Sequence, residues 1–407
     1  MVEKSLDRKI ARIHADPSCR DFILADAKDP DLAFGIAAPG RSPEHFAEEG
    51  RFRSLAELRD IIRENVTSGL LDIMLMSPST SEQLTIEERV FENSAVTPAA
   101  RANDTTDIHI VTGSRFAAQP SRPFRSTTID HLMCGKYRCA PDERSIGADL
   151  GLYSMTFNND VERDLATLEA YRAFRIEAEE KGFRHFLEVF NPNACGDHCP
   201  DDLGRFLNDL IARSLGGVTK RGRPVFLKIP YHGPRAMEQL VSYDATLVVG
   251  ILGGSAGTTF DAFHQLLDAR KHGAKAALYG RMINNSEHQL SFIQHLRWIA
   301  DGEINDAAEA VKSYHGSLQK FGVQPYRSLR DDLMQTGRGQ SYDKAKPKTA
   351  TSSTAPNARP TNTPTKPASS TSAGSASRPA GAEPDFTRMT PTEKVQWNLN
   401  RWKKILD

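Results

Sequence analysis

Eight short apolar runs, each separated from the next by a longer stretch of helical periodicity, constrain the fold more than any other feature. The runs span residues 22–26, 70–76, 107–112, 150–156, 185–190, 224–229, 246–252 and 276–280. Apolar runs of this length that alternate with amphipathic segments are typical of repeated βα units and a parallel sheet. Because eight is the number of units that closes a (β/α)8 barrel, we predict an α/β protein with a single TIM barrel.

An open, doubly wound sheet is the alternative arrangement of eight βα units. Open sheets that bind dinucleotides carry a glycine-rich fingerprint after the first strand, and the sequence after residue 26 contains no such motif. Polar residues also follow many of the runs and are not gathered at one switch point. Both observations favour closure into a barrel.

The two ends of the chain differ in composition from the predicted barrel, which we assign to residues 21–342. Residues 1–20 predict an N-terminal helical extension. Residues 343–384 are almost entirely Ser, Thr, Pro, Ala, Gly and Lys, and predict a disordered linker because they cannot bury enough apolar surface to fold. Residues 385–407 contain a Thr-Pro start and an apolar stripe, and predict a tethered amphipathic helix that docks on the barrel or binds a partner.

The balance of charge and the cysteine count exclude several classes of protein. With 52 basic and 52 acidic residues the chain has a formal net charge of zero, which would not attract a polyanion, so we expect no nucleic-acid partner. It has no apolar run of membrane-spanning length and no apolar leader, which predicts a cytoplasmic protein without a membrane partner. Five cysteines in such a chain predict free thiols. A homo-oligomer is compatible with all of these features.

Lys228, in the motif PVFLKIP, is the most informative single residue. A lysine within an apolar strand rarely lacks a partner or a purpose. The usual lysine pKa of about 10.4 keeps the amine protonated, but burial or a neighbouring cation lowers a lysine pKa and frees the amine to attack a carbonyl. Glu188 has the same unusual placement in the run before it, so we expect the two side chains to face each other. We predict Lys228 as a covalent nucleophile; a structural salt bridge with Glu188, or an outward lysine, is the alternative.

Imine chemistry also needs groups that move protons. Asp26 closes the first run and Glu188 lies in the fifth, so these two carboxylates are the main candidates. Tyr231 and His232 follow the lysine directly and could also carry protons. The alternative for YHGP is a motif that only shapes the turn.

The loops after the seventh and eighth runs are candidates for a phosphate site, as is common in barrels. They contain Gly253, Gly254 and Ser255, and then Gly280 and Arg281. Glycines allow backbone N–H groups to approach an anion, a helix that starts near residue 258 offers its positive end, and arginine adds a charged fork. Lys28 and Tyr153, after the first run and within the fourth, complete the predicted substrate-binding set.

A metal site is the alternative explanation of the motif NACGDHCPDD. Cys195, His198 and Cys199 could ligate zinc, although their spacing is not that of a standard structural zinc site. We predict no metal and no cofactor, and keep a metal-dependent barrel isomerase or hydrolase as the alternative.

These motifs resemble those of the class I aldolases, typified by deoxyribose-phosphate, tagatose-bisphosphate and archaeal-type fructose-bisphosphate aldolases, over about residues 21–300. Lys228 in VFLKIP matches the Schiff-base lysine of strand six, and Glu188 in FLEVF is similar to the strand-five motif of the tagatose enzymes. Asp26 is similar to their aspartate on strand one, and Gly280-Arg281 to their phosphate-binding motif. Their second lysine, on strand four, is absent here, where Tyr153 stands instead.

The resemblance implies a lyase that cleaves or forms a carbon–carbon bond in a phosphorylated ketose or keto-acid-like compound through an imine on Lys228. Related transaldol and thiolase-like transfers use the same lysine. The missing strand-four lysine leaves open a catalytically silent barrel that binds a sugar phosphate as a sensor or scaffold.

Overall fold

The computed structural model describes residues 2–40, 52–109, 111, 113–254 and 257–337. All of these residues belong to one compact unit, residues 1–347. The predicted linker (343–384) and terminal helix (385–407) lie outside the described residues, as does Ser255, so these assignments stay predictions. No helix within the described ranges is both long enough and apolar enough to span a membrane.

Eight parallel strands form a closed barrel, which confirms the predicted TIM-barrel fold. In order around the ring they are β1 (Ile23–Lys28), β2 (Ile73–Met76), β3 (Thr97–Arg101), β6 (Leu150–Thr156), β7 (Arg184–Phe190), β8 (Leu227–Ile229), β9 (Val249–Leu252) and β10 (Ala276–Tyr279). The short strands β4 (Asp104–Thr105) and β5 (Pro123–Phe124) pair antiparallel in the connection after β3.

Helices lie before, between and after the strands. They are α1 (Ser5–Ala15), α2 (Leu55–Thr67), α3 (Pro78–Ser81), α4 (Ile129–Cys134), α5 (Val161–Lys181), α6 (Leu203–Leu215), α7 (Pro234–Tyr243), α8 (Thr259–Lys271), α9 (Arg281–Asn284), α10 (Gln289–Asp301), α11 (Ala307–Lys320) and α12 (Leu329–Asp332). Local sequence explains several ends: Ser54 forms a capping box with Glu57 at the start of α2, and Gly182 ends α5 with a left-handed φ of 68°.

The third barrel strand differs from the prediction. β3 pairs with β2 through Ile73 and Thr97 and with β6 through Ala99 and Leu150. The apolar run at 107–112 follows it in the connection that contains β4 and β5, and the run begins within a turn at 106–108. The prediction was wrong because DIHIVT has the β-branched residues that favour strands, whereas TPAAR has a proline and two alanines.

Strand residues alternate between two apolar layers. One layer fills the barrel interior and includes Ala25, Ala27, Phe186 and Phe226. The other packs between strands and helices and includes residues such as Leu24. Leu6 and Ile13 of α1 belong to the interior cluster, and Lys4 donates hydrogen bonds to three carbonyl groups just before β3. The N-terminal extension therefore closes the end of the barrel where the strands begin.

The cysteines differ from the expectation of free thiols. Cys134 is paired with Cys139, and Cys195 with Cys199, while Cys19 is the free cysteine of the described residues. Each pair is close in sequence, with separations of five and four residues. The prediction of free thiols was based on the number of cysteines. That number does not exclude pairs formed by cysteines that are close in sequence.

Residues 328–337, here called the strap, cross the first turn of α8. The Asp332 carboxylate accepts a hydrogen bond from the Thr259 N–H at 2.8 Å, and the Thr336 N–H donates to Asp261 at 2.9 Å. The Thr258 hydroxyl donates to the Met334 carbonyl at 2.8 Å. Because α8 follows β9, the strap lies at the end of the barrel where the strands terminate.

Candidate active site

A cavity at the carboxyl ends of the strands brings together charged side chains from five parts of the barrel. Its lining includes Asp29 after β1, Arg101 at the end of β3, Glu188 on β7, Lys228 on β8 and Arg281 at the start of α9. This is the end of a barrel at which active sites form. Sequence reasoning predicted Glu188, Lys228 and Arg281 for this place and did not identify Asp29 or Arg101.

Lys228 and Glu188 face each other across two neighbouring strands. They are direct partners in the parallel register of β7 and β8, and their side chains share the interior face with Phe186 and Phe226. The Lys228 Nζ atom lies 2.6 Å from Glu188 Oε1, and the side chains are only 8% and 2% exposed. The contact matches the pairing that the sequence pattern predicts, and it places a buried amine beside a proton acceptor.

Arg101 joins the two carboxylates of the cavity. Its Nε atom donates to Asp29 Oδ2 at 2.5 Å, and its Nη2 atom lies 3.8 Å from Glu188 Oε2. Ser154 on β6 accepts a hydrogen bond from Arg101 Nη1 and donates one to Glu188 Oε2 at 2.8 Å. Burial opposes the charge of Arg101, but the carboxylates of Asp29 and Glu188 outweigh it and raise the pKa of the guanidinium.

Arg281 stands apart from this network. Its guanidinium lies 5.5 Å from the centre of the Phe34 ring, and none of the described residues places a carboxylate within 4 Å of it. Partial burial lowers the pKa of Arg281, and the more distant Glu188 opposes that shift. Arg281 therefore places a guanidinium group at the cavity, and none of the described carboxylates forms an ion pair with it.

The glycines of the predicted phosphate site have roles that are partly structural. The Gly253 N–H donates to the Leu278 carbonyl at 2.8 Å, so it is not available to an anion. A Cβ atom at Gly253 would overlap the Tyr279 ring, and one at Gly280 would lie 2.9 Å from the Ala27 carbonyl oxygen. Gly254 lines the cavity with a positive φ of 63°, a backbone conformation that suits glycine.

The sequence predicts that the amino-terminal end of α8 offers N–H groups to an anion in the cavity. In the structure, the first of these N–H groups already bind side chains of the protein. The Thr259 N–H is bonded to Asp332 of the strap, and the Thr258 N–H to Asp261. Carboxylates of the protein already occupy the position that the helix dipole favours for an anion. This leaves Arg281 and Gly254 as the described candidates for an anion site.

Known structures resemble this barrel. An archaeal fructose 1,6-bisphosphate aldolase aligns with a TM-score of 0.51 and 14% identity over 73% of this chain and 100% of its own. An archaeal fructose-1,6-bisphosphate aldolase with its catalytic lysine covalently bound to the carbinolamine intermediate aligns with a TM-score of 0.52 and 15% identity, over 73% and 100%. The similarity shows that this chain shares the barrel fold of these proteins.

A protein of Corynebacterium glutamicum aligns as well, with a TM-score of 0.50 and 15% identity over 75% of this chain and 99% of its own. No family model and no curated protein matches the sequence. At these identities the similarity establishes the fold of the barrel.

Asp26 and Lys28 lie outside the cavity, which corrects their predicted positions. They point from β1 toward the surrounding helices, where Lys28 Nζ is 3.0 Å from Asp26 Oδ2 and donates to Asn284 of α9 and Gln289 of α10. Both side chains are fully buried. Burial raises the pKa of Asp26 and lowers the pKa of Lys28, and each shift is opposed by the partner's charge.

Tyr153 and Tyr231 also belong to the outer layer and do not line the cavity, contrary to the sequence prediction. Tyr153 stacks on Phe174 of α5 with ring centres 4.5 Å apart. The Tyr231 hydroxyl donates to Asp268 of α8 at 2.7 Å. The alternation of strand residues explains Tyr153, because its neighbour Leu152 belongs to the interior layer. Tyr231 follows β8 and packs in the same outer cluster as Ile229.

The zinc alternative finds no support in the described residues. Cys195 and Cys199 are paired with each other. No group of three or more His, Cys, Asp or Glu side chains is placed to hold a metal ion anywhere in the described ranges.

Proposed function

We propose that the protein is a class I aldolase-type lyase that acts on a ketose phosphate or a related phosphorylated keto compound. The observation that carries this proposal is the buried Lys228 amine, 2.6 Å from the Glu188 carboxylate, in a cavity at the carboxyl ends of the strands. A structural salt bridge would not require a cavity, and the barrel interior elsewhere is filled with apolar side chains.

In the proposed reaction, Lys228 passes a proton to Glu188 and its neutral Nζ attacks the substrate carbonyl to form a carbinolamine. Glu188 then returns the proton to the carbinolamine hydroxyl, which leaves as water and gives the iminium ion. The iminium accepts the electron pair of the breaking carbon–carbon bond, while a base removes the proton of the adjacent hydroxyl, so that an aldehyde and an enamine form. Protonation of the enamine carbon and hydrolysis release the ketone and restore Lys228.

Arg101 and Ser154 position Glu188 for these transfers. Ser154 donates to the Glu188 oxygen that Lys228 does not contact, and the Arg101 charge lies on the same side. One carboxylate oxygen is thereby fixed while the other stays directed at the amine, as a group that moves a proton repeatedly along one path requires. Asp29, held by Arg101, is the second carboxylate that could accept the hydroxyl proton.

Arg281 is the group we propose for the substrate phosphate. Guanidinium groups bind phosphate through two parallel hydrogen bonds, and Arg281 has no competing carboxylate among the described residues. Binding energy from a phosphate remote from the reacting carbon also holds the carbonyl near the amine.

Borohydride trapping tests the proposal. The full chain is incubated with dihydroxyacetone phosphate, reduced with borohydride and digested, and the adduct is located by mass spectrometry. We expect a reduced adduct on the peptide that contains Lys228 and none on buried Lys28, which serves as an internal control because it lies outside the cavity.

Lys228→Arg keeps the positive charge but removes the nucleophilic amine, so its adduct should be absent. Labelling of another lysine in the unaltered chain, or undiminished labelling of the variant, would contradict the proposal. Thermal stabilisation by keto phosphates without any adduct would favour the silent sugar-phosphate binder instead.

A further inference from the structure

We infer that the cavity accepts a substrate with a single anionic group, a ketose monophosphate in preference to a bisphosphate. This inference rests on the proposed function and specifies its substrate class. It follows from how the charges around the cavity are already distributed among the protein's own groups.

The described charged side chains of the cavity lining are three cations and two carboxylates: Asp29, Arg101, Glu188, Lys228 and Arg281. Both carboxylates are engaged, Glu188 by Lys228 at 2.6 Å and Asp29 by Arg101 at 2.5 Å. Arg281 is the remaining cation. Among the described residues, the lining therefore has an excess of one positive charge, which is that of Arg281.

Arg101 is not available as a second anion-binding group. Its Nε atom is bonded to Asp29 and its Nη1 atom to Ser154, while its Nη2 atom faces Glu188 at 3.8 Å. The Asp104 carboxylate adds a further negative charge that helps to raise the pKa of Arg101. A phosphate that approached Arg101 would have to displace protein carboxylates.

A second phosphate would meet like charge in the part of the cavity away from Arg281. Asp29 and Glu188 both line the cavity, neither of them within 4 Å of the Arg281 guanidinium, and anions forced together in a partly desolvated site repel each other strongly. A hydroxyl-bearing chain meets no such penalty, because it can donate hydrogen bonds to the same carboxylates. The geometry thus favours phosphate at one end of the substrate and neutral hydroxyl groups at the other.

A matched pair of unreactive ligands tests the inference. Glucitol 1-phosphate and glucitol 1,6-bisphosphate differ only in the second phosphate and cannot form an imine. Each is titrated against the trapping of dihydroxyacetone phosphate at Lys228, and the concentration that halves the adduct is measured. We expect the monophosphate to compete at a concentration at least about tenfold lower. Equal or stronger competition by the bisphosphate would overturn the inference.

Two variants locate the effect. Arg281→Ala should weaken both ligands, because it removes the excess charge. Asp29→Asn removes a carboxylate and frees Arg101, so it should shift the ratio of the two competing concentrations toward the bisphosphate by about tenfold. An unchanged ratio in a folded Asp29→Asn protein would argue against charge as the basis of selection.

Thermal stabilisation by the same two ligands separates this inference from the proposed function. If no keto compound labels Lys228, the proposed function fails, but the unfolding temperature still reports which ligand binds. If the monophosphate raises the unfolding temperature more than the bisphosphate does, the inference of a preference for one phosphate is supported. The reverse order overturns it whether or not an adduct forms.

Discussion

Lys228 Nζ and Glu188 Oε1 lie 2.6 Å apart, on residues that are direct partners in two adjacent parallel strands. Replacement of Glu188 by Gln keeps the shape and removes the proton acceptor. We expect the rate of adduct formation and the turnover number to fall by about 10²- to 10⁴-fold, the usual contribution of a general acid–base group, with a smaller change in KM. Single-turnover trapping and steady-state kinetics measure the two effects.

The control for that variant is Glu177→Gln, which alters an ion pair with Arg125, and neither of these residues lines the cavity. Its kinetics should match those of the unaltered chain. If the turnover number falls equally in both variants, the loss of rate comes from a less stable protein and not from the loss of proton transfer.

The buried pair of Asp26 and Lys28 should matter for stability. Lys28→Met leaves the Asp26 carboxylate without its cation in a fully buried place, so we expect the free energy of unfolding to fall by about 3–5 kcal/mol. Changing both residues together, Asp26→Leu with Lys28→Met, should restore much of that loss because no unpaired charge remains. Urea denaturation measures both, and a double variant less stable than the single one would refute this account.

Gly253 should tolerate no side chain. A Cβ atom there overlaps the Tyr279 ring, and that ring is held by its hydroxyl, which donates to the Ala262 carbonyl at 3.0 Å. We expect Gly253→Ala to lower the free energy of unfolding by about 1–3 kcal/mol, as overpacking does. Gly217→Ala is the matched control, since no atom lies within 4 Å of its Cβ position, and its stability should change by less than about 1 kcal/mol.

His185 should make the protein sensitive to acid. Burial lowers its pKa from 6.5 to about 3, and its Nε2 atom is 2.9 Å from the Tyr171 hydroxyl. An unfolded histidine binds a proton below about pH 6.5 while the folded one does not, so this stabilisation is complete above pH 6.5 and is lost as the pH falls toward 3.

The expected slope is roughly 1.4 kcal/mol per pH unit from this group in that window. Urea unfolding at several pH values measures it. His185→Gln should flatten the slope, whereas the same change at exposed His131 should leave it unaltered. A slope that does not depend on His185 would show that other groups control the acid sensitivity.

Seven of the eight barrel strands were predictable because apolar runs of strand length alternate with helical segments along the chain. The third was not, since Thr97–Arg101 has neither β-branched runs nor alternation, and barrel closure selects it through pairing with β2 and β6. Long-range pairing of this kind overrides local preference and leaves little trace in a short segment.

The positions of single side chains were harder to predict than the strands. β1 is buried on both faces, so its apolar pattern does not show which residues point inward, and Asp26 and Lys28 were assigned to the wrong face. Asp29 follows β1, and Arg101 ends β3, the strand whose position was predicted wrongly. Neither residue was therefore predicted for the site. Lys228 and Glu188 could be paired because each is a lone charge in a long apolar run.

The strap adds one practical constraint on how this protein can be handled. Its Asp332 carboxylate accepts a hydrogen bond from the Thr259 N–H, and its Thr336 N–H donates one to Asp261, at the start of the helix that follows Gly254. A shortened polypeptide that stops before Ser328 would leave the Thr259 N–H without the carboxylate that accepts it and Asp261 without the donor that Thr336 supplies. The smallest piece worth purifying for ligand studies should therefore run through Gly337, well beyond the last strand of the ring.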